Sequence, residues 1–317
     1  MARWLKLLGC SLTVSSLFIL SGLGPLLAQS APDRTEIRKI EREEDINVQR
    51  HVGEWEIARR DQVLASGNWL ATGTNSMAWM WYNTLDLIYR QMEDTVSRFI
   101  PGSTCGFRVT SGRNLFLLEG NRARCYQETE TIQVMPPSLP DMARLANKQI
   151  DNSEDENTAV AFSLFRNPDA QETVVEVLAS PLGPVTVTNK SAAFDDSEEG
   201  DIGNEIQLRA GEFAFMRDDG RLIRGEFSLQ NFYENNPLTL GLGPSPEDQA
   251  YVDGLENAEE KKRFIEIREA TLQALREQPD PGPFEVRTLD EPNVNLPSPP
   301  ECQPILLDGQ QFGVICF

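Results

Sequence analysis

Residues 67–99 limit the fold of this chain more than any other stretch. They read GNWLATGTNSMAWMWYNTLDLIYRQMEDTVSRF and hold three of the five Trp in a sequence of 317 residues. The turn-forming runs Thr72–Ser76 and Asn83-Thr84 cut the stretch into short apolar pieces. Pieces of that length, rich in aromatic and β-branched residues and bounded by turns, are strands of a core and not one helix. The stretch is therefore expected to be core and not a ligand cradle. Trp79 and Trp81, at i and i+2, are expected to share one buried face.

The β signal runs on through the chain. Phe107-Arg108-Val109, Leu115–Leu118 and Thr131–Val134 are strand candidates separated by Gly112 and Gly120. Val160, Phe162 and Leu164 alternate with small residues, and Val174–Leu178 is rich in Val. Pro184–Thr188 and Glu205–Ala210 alternate apolar with polar residues, and Gly211 makes the turn before Phe213-Ala214-Phe215. Period-two alternation gives a strand one buried and one wet face. Asp33–Gln49 is charged and fits either a short helix or a pair of strands. Met135–Asn157 reads as a loop or insertion with room for a short helix at 140–149. Leu238–Pro246 reads as a Gly/Pro linker. Ser245-Pro246-Glu247-Asp248 then starts a helix, with Ser as N-cap, Pro at the first position and acids in the first turn. That helix runs to about Gln278 with a break near Gly254. Its face of Phe264, Ile265, Ile267, Leu272 and Leu275 is expected to dock on the β domain, an exposed partner-binding stripe being the alternative. Residues 279–300 are Pro-rich and extended. Around Asp308-Gly309 the tail reads as a hairpin. A simple two-residue turn would leave Cys302 and Cys316 one step out of register, so a bulge or longer turn is expected.

The motif Gly67-x-x-Leu70-x-Thr72-Gly73-x-Asn75-Ser76, followed by Asp94-Thr95-Val96-x-Arg98-Phe99, resembles the start of a FecR-type domain. Thr173–Leu178, then Gly183-Pro184-Val185, then Leu208-x-x-Gly211, resemble its later strands, and the resemblance spans roughly residues 37–229. It also favours strands over a helix in 33–49. Bacterial members of that family are all-β proteins of the periplasm or cell envelope. Short strands spaced by turns argue for a sandwich, barrel or solenoid-like β domain. The resemblance implies an all-β fold. The expected whole is a compact β-sandwich or solenoid-like domain followed by the C-terminal helical segment and Pro-rich tail. The resemblance also implies a structural or ligand-sensing role. The pattern is closest to signal-peptide-bearing members of cyanobacterial type. The iron-uptake FecR proteins carry a cytoplasmic segment that touches a sigma factor. Here a handful of residues precede the first apolar segment, so a direct cytoplasmic sigma-factor regulator is not expected.

Residues 1–30 read as a secretory signal: Arg3 and Lys6 form a basic start, Leu12–Leu27 is apolar, and small residues near Ala28 suit cleavage. The expected location is periplasmic or secreted, an uncleaved N-terminal anchor being the alternative. The division that follows is signal 1–30, β domain 31–237, linker and helix 238–278, and tail 279–317. Cys105, Cys125, Cys302 and Cys316 remain, an even number that admits three pairings, with the local pairs Cys105–Cys125 and Cys302–Cys316 preferred. No C-x-x-C occurs, which argues against zinc.

The formal charge is -20, which sets the chain against nucleic acid and anionic lipid. His51 is the only histidine and no nucleophile motif accompanies it. Asp195–Asp201 has acids at calcium-loop spacing, but Ile206 stands where the closing Glu belongs, so a mobile acidic hairpin loop is expected. The reading is a non-enzymatic exported protein with no cofactor and no metal, its partner an envelope protein or a glycan. The rival is a secreted carboxylate-dependent enzyme such as a glycan hydrolase, which a carboxylate pair in an aromatic-lined cleft would favour.

Overall fold

The chain alternates between two antiparallel layers. The structure, a computed structural model, describes residues 35–41, 46–49, 53–82, 87–101, 106–118, 126–137, 159–190, 205–216, 222–278, 302–307 and 310–316. One layer is called the covered sheet and the other the open sheet. The path begins with β1 (Thr35–Glu41) in the covered sheet, passes to β2 (Ile46–Gln49) and β3 (Trp55–Ile57) in the open one, and returns as β4 (Val63–Leu64). It crosses again to β5 (Trp69–Thr72), back to β6 (Met77–Tyr82) and β7 (Leu87–Gln91), and over to β8 (Thr95–Phe99).

β9 (Phe107–Leu118) belongs to both layers. Beyond it β10 (Gln127–Glu128) and β11 (Ile132–Met135) extend the open sheet, and β12 (Val160–Asn167) and β13 (Glu172–Ala179) the covered one. β14 (Val185–Asn189) and β15 (Glu205–Leu208) end the open sheet, and β16 (Glu212–Met216) and β17 (Leu222–Glu226) end the covered sheet. Successive hairpins therefore land alternately on the two layers, each beyond the last. The result is a sandwich with a solenoid-like progression. The β9–β10 pair is parallel, and the other pairings are antiparallel.

The two inner faces share one core. Ile37, Met80, Tyr89, Phe116, Phe162 and Val175 from the covered sheet meet Ile46, Leu70, Phe99, Phe107, Val134 and Val187 from the open one. Tyr89, Phe99, Phe107, Phe116 and Phe162 make a chain of ring contacts through its middle, with centroids 4.8–6.1 Å apart. Such edge and stacked pairs add to the area they bury.

Phe107–Leu118 is one twelve-residue strand, where two strands separated by a turn at Gly112 were expected. Gly112 has φ +77, and a Cβ there would strike Thr95. The glycine bends the strand and does not end it. Up to Ser111 the strand pairs with β8, and from Gly112 on with β7 and β12. A sharp bend of this kind is the usual task of a strand glycine.

The covered sheet takes a second layer on its outer face. α1 (Leu229–Asn235), a 3₁₀ turn (Pro237–Thr239), α2 (Pro246–Asp253) and α3 (Ala258–Glu277) pack there. Leu229, Phe232, Leu238, Phe264, Ile267 and Ala270 cover Trp81, Ile88, Leu115, Leu117 and Leu178. The expected linker at 238–246 is thus packed structure: Leu238, Thr239 and Leu242 are buried. Ser245 caps α2 and completes a capping box with Asp248, and Asn257 caps α3 after the break at Gly254. Phe264 and Ile267 dock as expected, while Ile265 faces solvent.

At the C-terminus β18 (Cys302–Leu307) and β19 (Gln310–Cys316) form a separate hairpin. The register shifts between Ile305 and Leu306, which sets Cys302 opposite Cys316. Cys105, Cys125, His51, the acidic run 195–201, the expected helix at 140–149 and the signal segment 1–30 lie outside the described residues.

Candidate binding face

The motif residues read from the sequence are architectural. Leu70, Phe99, Val185 and Leu208 sit in the sandwich core, and Val185 lies opposite Leu208. Gly67 (φ +87) starts the turn into β5, and its N–H donates to Phe99 O at 2.9 Å. Gly73 O accepts from both Ser76 and Asp94 N–H, while Asn75 takes the left-handed conformation. Thr72 Oγ1 donates to Met92 O and Thr95 O. Beside it Gln91, from the covered sheet, donates to Leu70 O and Thr95 O of the open one. These bonds pin the two layers together in a buried polar knot. Gly183 (φ +140) and Gly211 (φ +82) lie outside helical and extended strand geometry, and Gly211 N–H donates to Val177 O. Asn75 is exposed in its turn, and Arg98 is half-exposed on the outer face of the open sheet.

The most perturbed titratable groups are sealed. Arg90 is 0% exposed, with its guanidinium 4.2 Å from the Trp79 ring and 4.8 Å from Phe264. Its Nη1 donates to Leu238 O at 2.6 Å and to Leu240 O at 2.7 Å. Burial pushes its pKa down to about 10, so it stays charged at neutral pH. Arg113 Nη1 donates to Glu176 Oε2 at 2.6 Å and to Ser163 Oγ at 3.2 Å. Burial raises the Glu176 pKa against the opposing pull of Arg113. Groups shifted in this way mark functional sites when they line a cleft. Here they are buried on the covered side: Arg90 ties β7 to the chain at Leu238 and Leu240, and Arg113 with Glu176 and Ser163 ties β9, β13 and β12 to one another. This burial is not legible in the sequence, because nothing in Leu87–Gln91 shows that both faces of the strand are covered.

A cleft between α1 and α2 gathers Glu234, Glu247 and Asp248 beside Tyr233. Asp248 is spent on the cap: its carboxylate accepts from Gly241 N–H, Ser245 N–H and Ser245 Oγ. The Tyr233 hydroxyl turns down to Leu178 O, and its burial raises the pKa. The cleft therefore lacks the aromatic wall that a carboxylate-dependent glycan hydrolase uses. No cluster of three potential metal ligands occurs among the described residues. No described helix is long and apolar enough to cross a membrane.

The open sheet differs. Its outer face carries a row of residues that stand opposite one another strand by strand: Trp55, Gln49, Trp69, Arg98, Arg108 and Glu128. Arg98 lies 4.9 Å over the Trp69 ring. Arg108 and Lys190 clamp Glu128, with Nε and Nζ at 2.6 and 2.8 Å, so the far half of the row is charge-paired. The near half is ring, amide, ring and guanidinium. Next to it run Ile57, Asn47, Ala71 and Val96. Trp55 is 44% and Ile57 58% exposed, both among the few large apolar residues left in solvent. Sequence reading missed this pair. The signal was present in Trp55-x-Ile57, a one-sided apolar alternation inside a polar segment.

No family model matches the chain, and no curated protein matches it. Among solved structures, one from Parabacteroides distasonis, described as a candidate anti-sigma factor, aligns with 51% of this chain and 61% of its own length. The identity is 13% and the TM-score 0.34.

Proposed function

We propose that this is an exported, non-enzymatic protein of the cell envelope, organised on the FecR-type pattern, whose open sheet face binds an envelope component. The observation that carries the reading is the asymmetry of the sandwich. Helices cover the outer face of one sheet, with Arg90, Arg113 and Glu176 buried in it, while no described helix packs on the other outer face, which holds Trp55 and Ile57 in solvent. Contiguous exposed apolar side chains mark contact surfaces, and Trp55 and Ile57 are i, i+2 neighbours on one strand. Trp is also the residue most enriched among those that dominate binding energy. The secretory features of residues 1–30 supply the compartment. Immobilised protein tests this against solubilised envelope material. Wild type is expected to retain a component that the Trp55→Ala/Ile57→Ser variant releases. Identical retention by both would remove the open face from the function.

A further inference from the structure

Resting on that reading, the structure assigns the near half of the open face a ligand class: we infer that it is a platform for a neutral polysaccharide chain. Trp55 and Trp69 stand in one register row on β3 and β5, with β2 between them. Two strand spacings put their backbones about 10 Å apart. Gln49 stands between the rings in the same row, and Asn47 lies in the next row beside Ile57. Arg98 extends the row beyond Trp69 and stacks on its ring.

A sugar ring has an apolar C–H face and a rim of hydroxyls. The face packs on an indole, and the rim hydrogen-bonds amides and guanidinium, which both donate and, for amides, accept. Rings separated by amides along one line thus suit a chain of sugars lying across the strands. The alternation suits a protein partner less well. A stable protein contact needs a continuous apolar centre, and Gln49 and Asn47 interrupt this one. Charge narrows the class further: a chain of net charge -20 repels anionic polymers, whereas a neutral glycan meets no such barrier.

The test is native gel electrophoresis of the full chain through gels holding hydroxyethyl-cellulose, galactomannan or alginate. Retardation is expected in at least one neutral polymer and not in alginate. Trp55→Ala is expected to weaken it by about tenfold or more, and Trp55→Phe to keep most of it. Gln49→Ala is a second variant, which removes a half-exposed amide and its bond to Gly53 O and is expected to weaken binding less. Absence of retardation in both neutral polymers, or retardation indifferent to Trp55→Ala, overturns the glycan assignment. If Trp55→Ala instead abolishes retention of an envelope protein while the polysaccharides never bind, the ligand class is wrong and the binding face stands. If neither assay responds to Trp55→Ala, both fail.

Discussion

The two sheets are built from the same antiparallel hairpins, yet their strands are written differently. In the covered sheet β12 and β13 read VAFSLFRN and ETVVEVLA and are buried along nearly their whole length. In the open sheet β2 and β14 read INVQ and VTVTN and alternate between buried and half-exposed positions. The difference follows from what lies on the second face. A sheet packed on both sides has no wet positions, so its strands approach continuous apolar runs. A charge placed there must find a partner, because an isolated buried charge is expensive. Arg90 finds two carbonyls and the Trp79 ring, and Arg113 finds Glu176. On the open sheet Gln133 and Thr186 are half-exposed, and Arg98 rests on the Trp69 ring and donates to Gly67 O. The covered face is spent on packing the helices, whereas the open face leaves Trp55 and Ile57 in solvent.

Breaking the covered side is expected to give the largest effect. Trp81 is 8% exposed and packs in the cluster shared with the helices. Trp81→Ala should lower unfolding stability by about 3–5 kcal/mol, measured by chemical denaturation. Arg113→Met comes next, at about 3 kcal/mol, because it strands Glu176 without its partner. Adding Glu176→Leu should recover most of that loss, since an apolar pair replaces an ionic one. The same carboxyl sharpens the comparison through pH. Its folded pKa lies above the ordinary 4.5, so the folded state binds its proton more tightly than the unfolded state. Its contribution is complete below 4.5 and is lost as pH rises through the folded value. Glu176→Gln should flatten that part of the stability profile. Ser245→Ala, which removes a cap from the covering layer, should cost about 1 kcal/mol.

Much of the open sheet was legible because one wet face imprints itself on the sequence. Val185–Asn189 and Glu205–Leu208 alternate in the text as they do in the fold. The helix signals at Ser245 and Gly254 were equally direct, since caps are local chemistry. α1 was less visible, although Leu229, Phe232 and Tyr233 carry helical spacing at i, i+3 and i+4, because a seven-residue helix is too short to repeat the pattern. β9 was split in the reading at Gly112, since a glycine that bends a strand looks the same as one that ends it. The burial of Arg90 could not be read at all. It depends on Leu238 and Leu240 arriving from nearly one hundred and fifty residues away. The candidate face was half legible: Trp69 and Arg98 fell within recognised motifs, but their alignment with Trp55 is a matter of strand order, which no single segment encodes.

On the proposed function, one aromatic surface of this protein is structural and the other is held in reserve for a ligand. Trp79 and Trp55 test it as a pair, being the same residue type on the outer faces of the two sheets, 5% and 44% exposed. Each is changed to Ala and the unfolding free energy measured in denaturant under one set of conditions. The expected loss is about 3–5 kcal/mol for Trp79→Ala, and the expected change for Trp55→Ala is within about 0.5 kcal/mol. Comparable losses at both positions would contradict this division, because Trp55 would then be part of what holds the fold together.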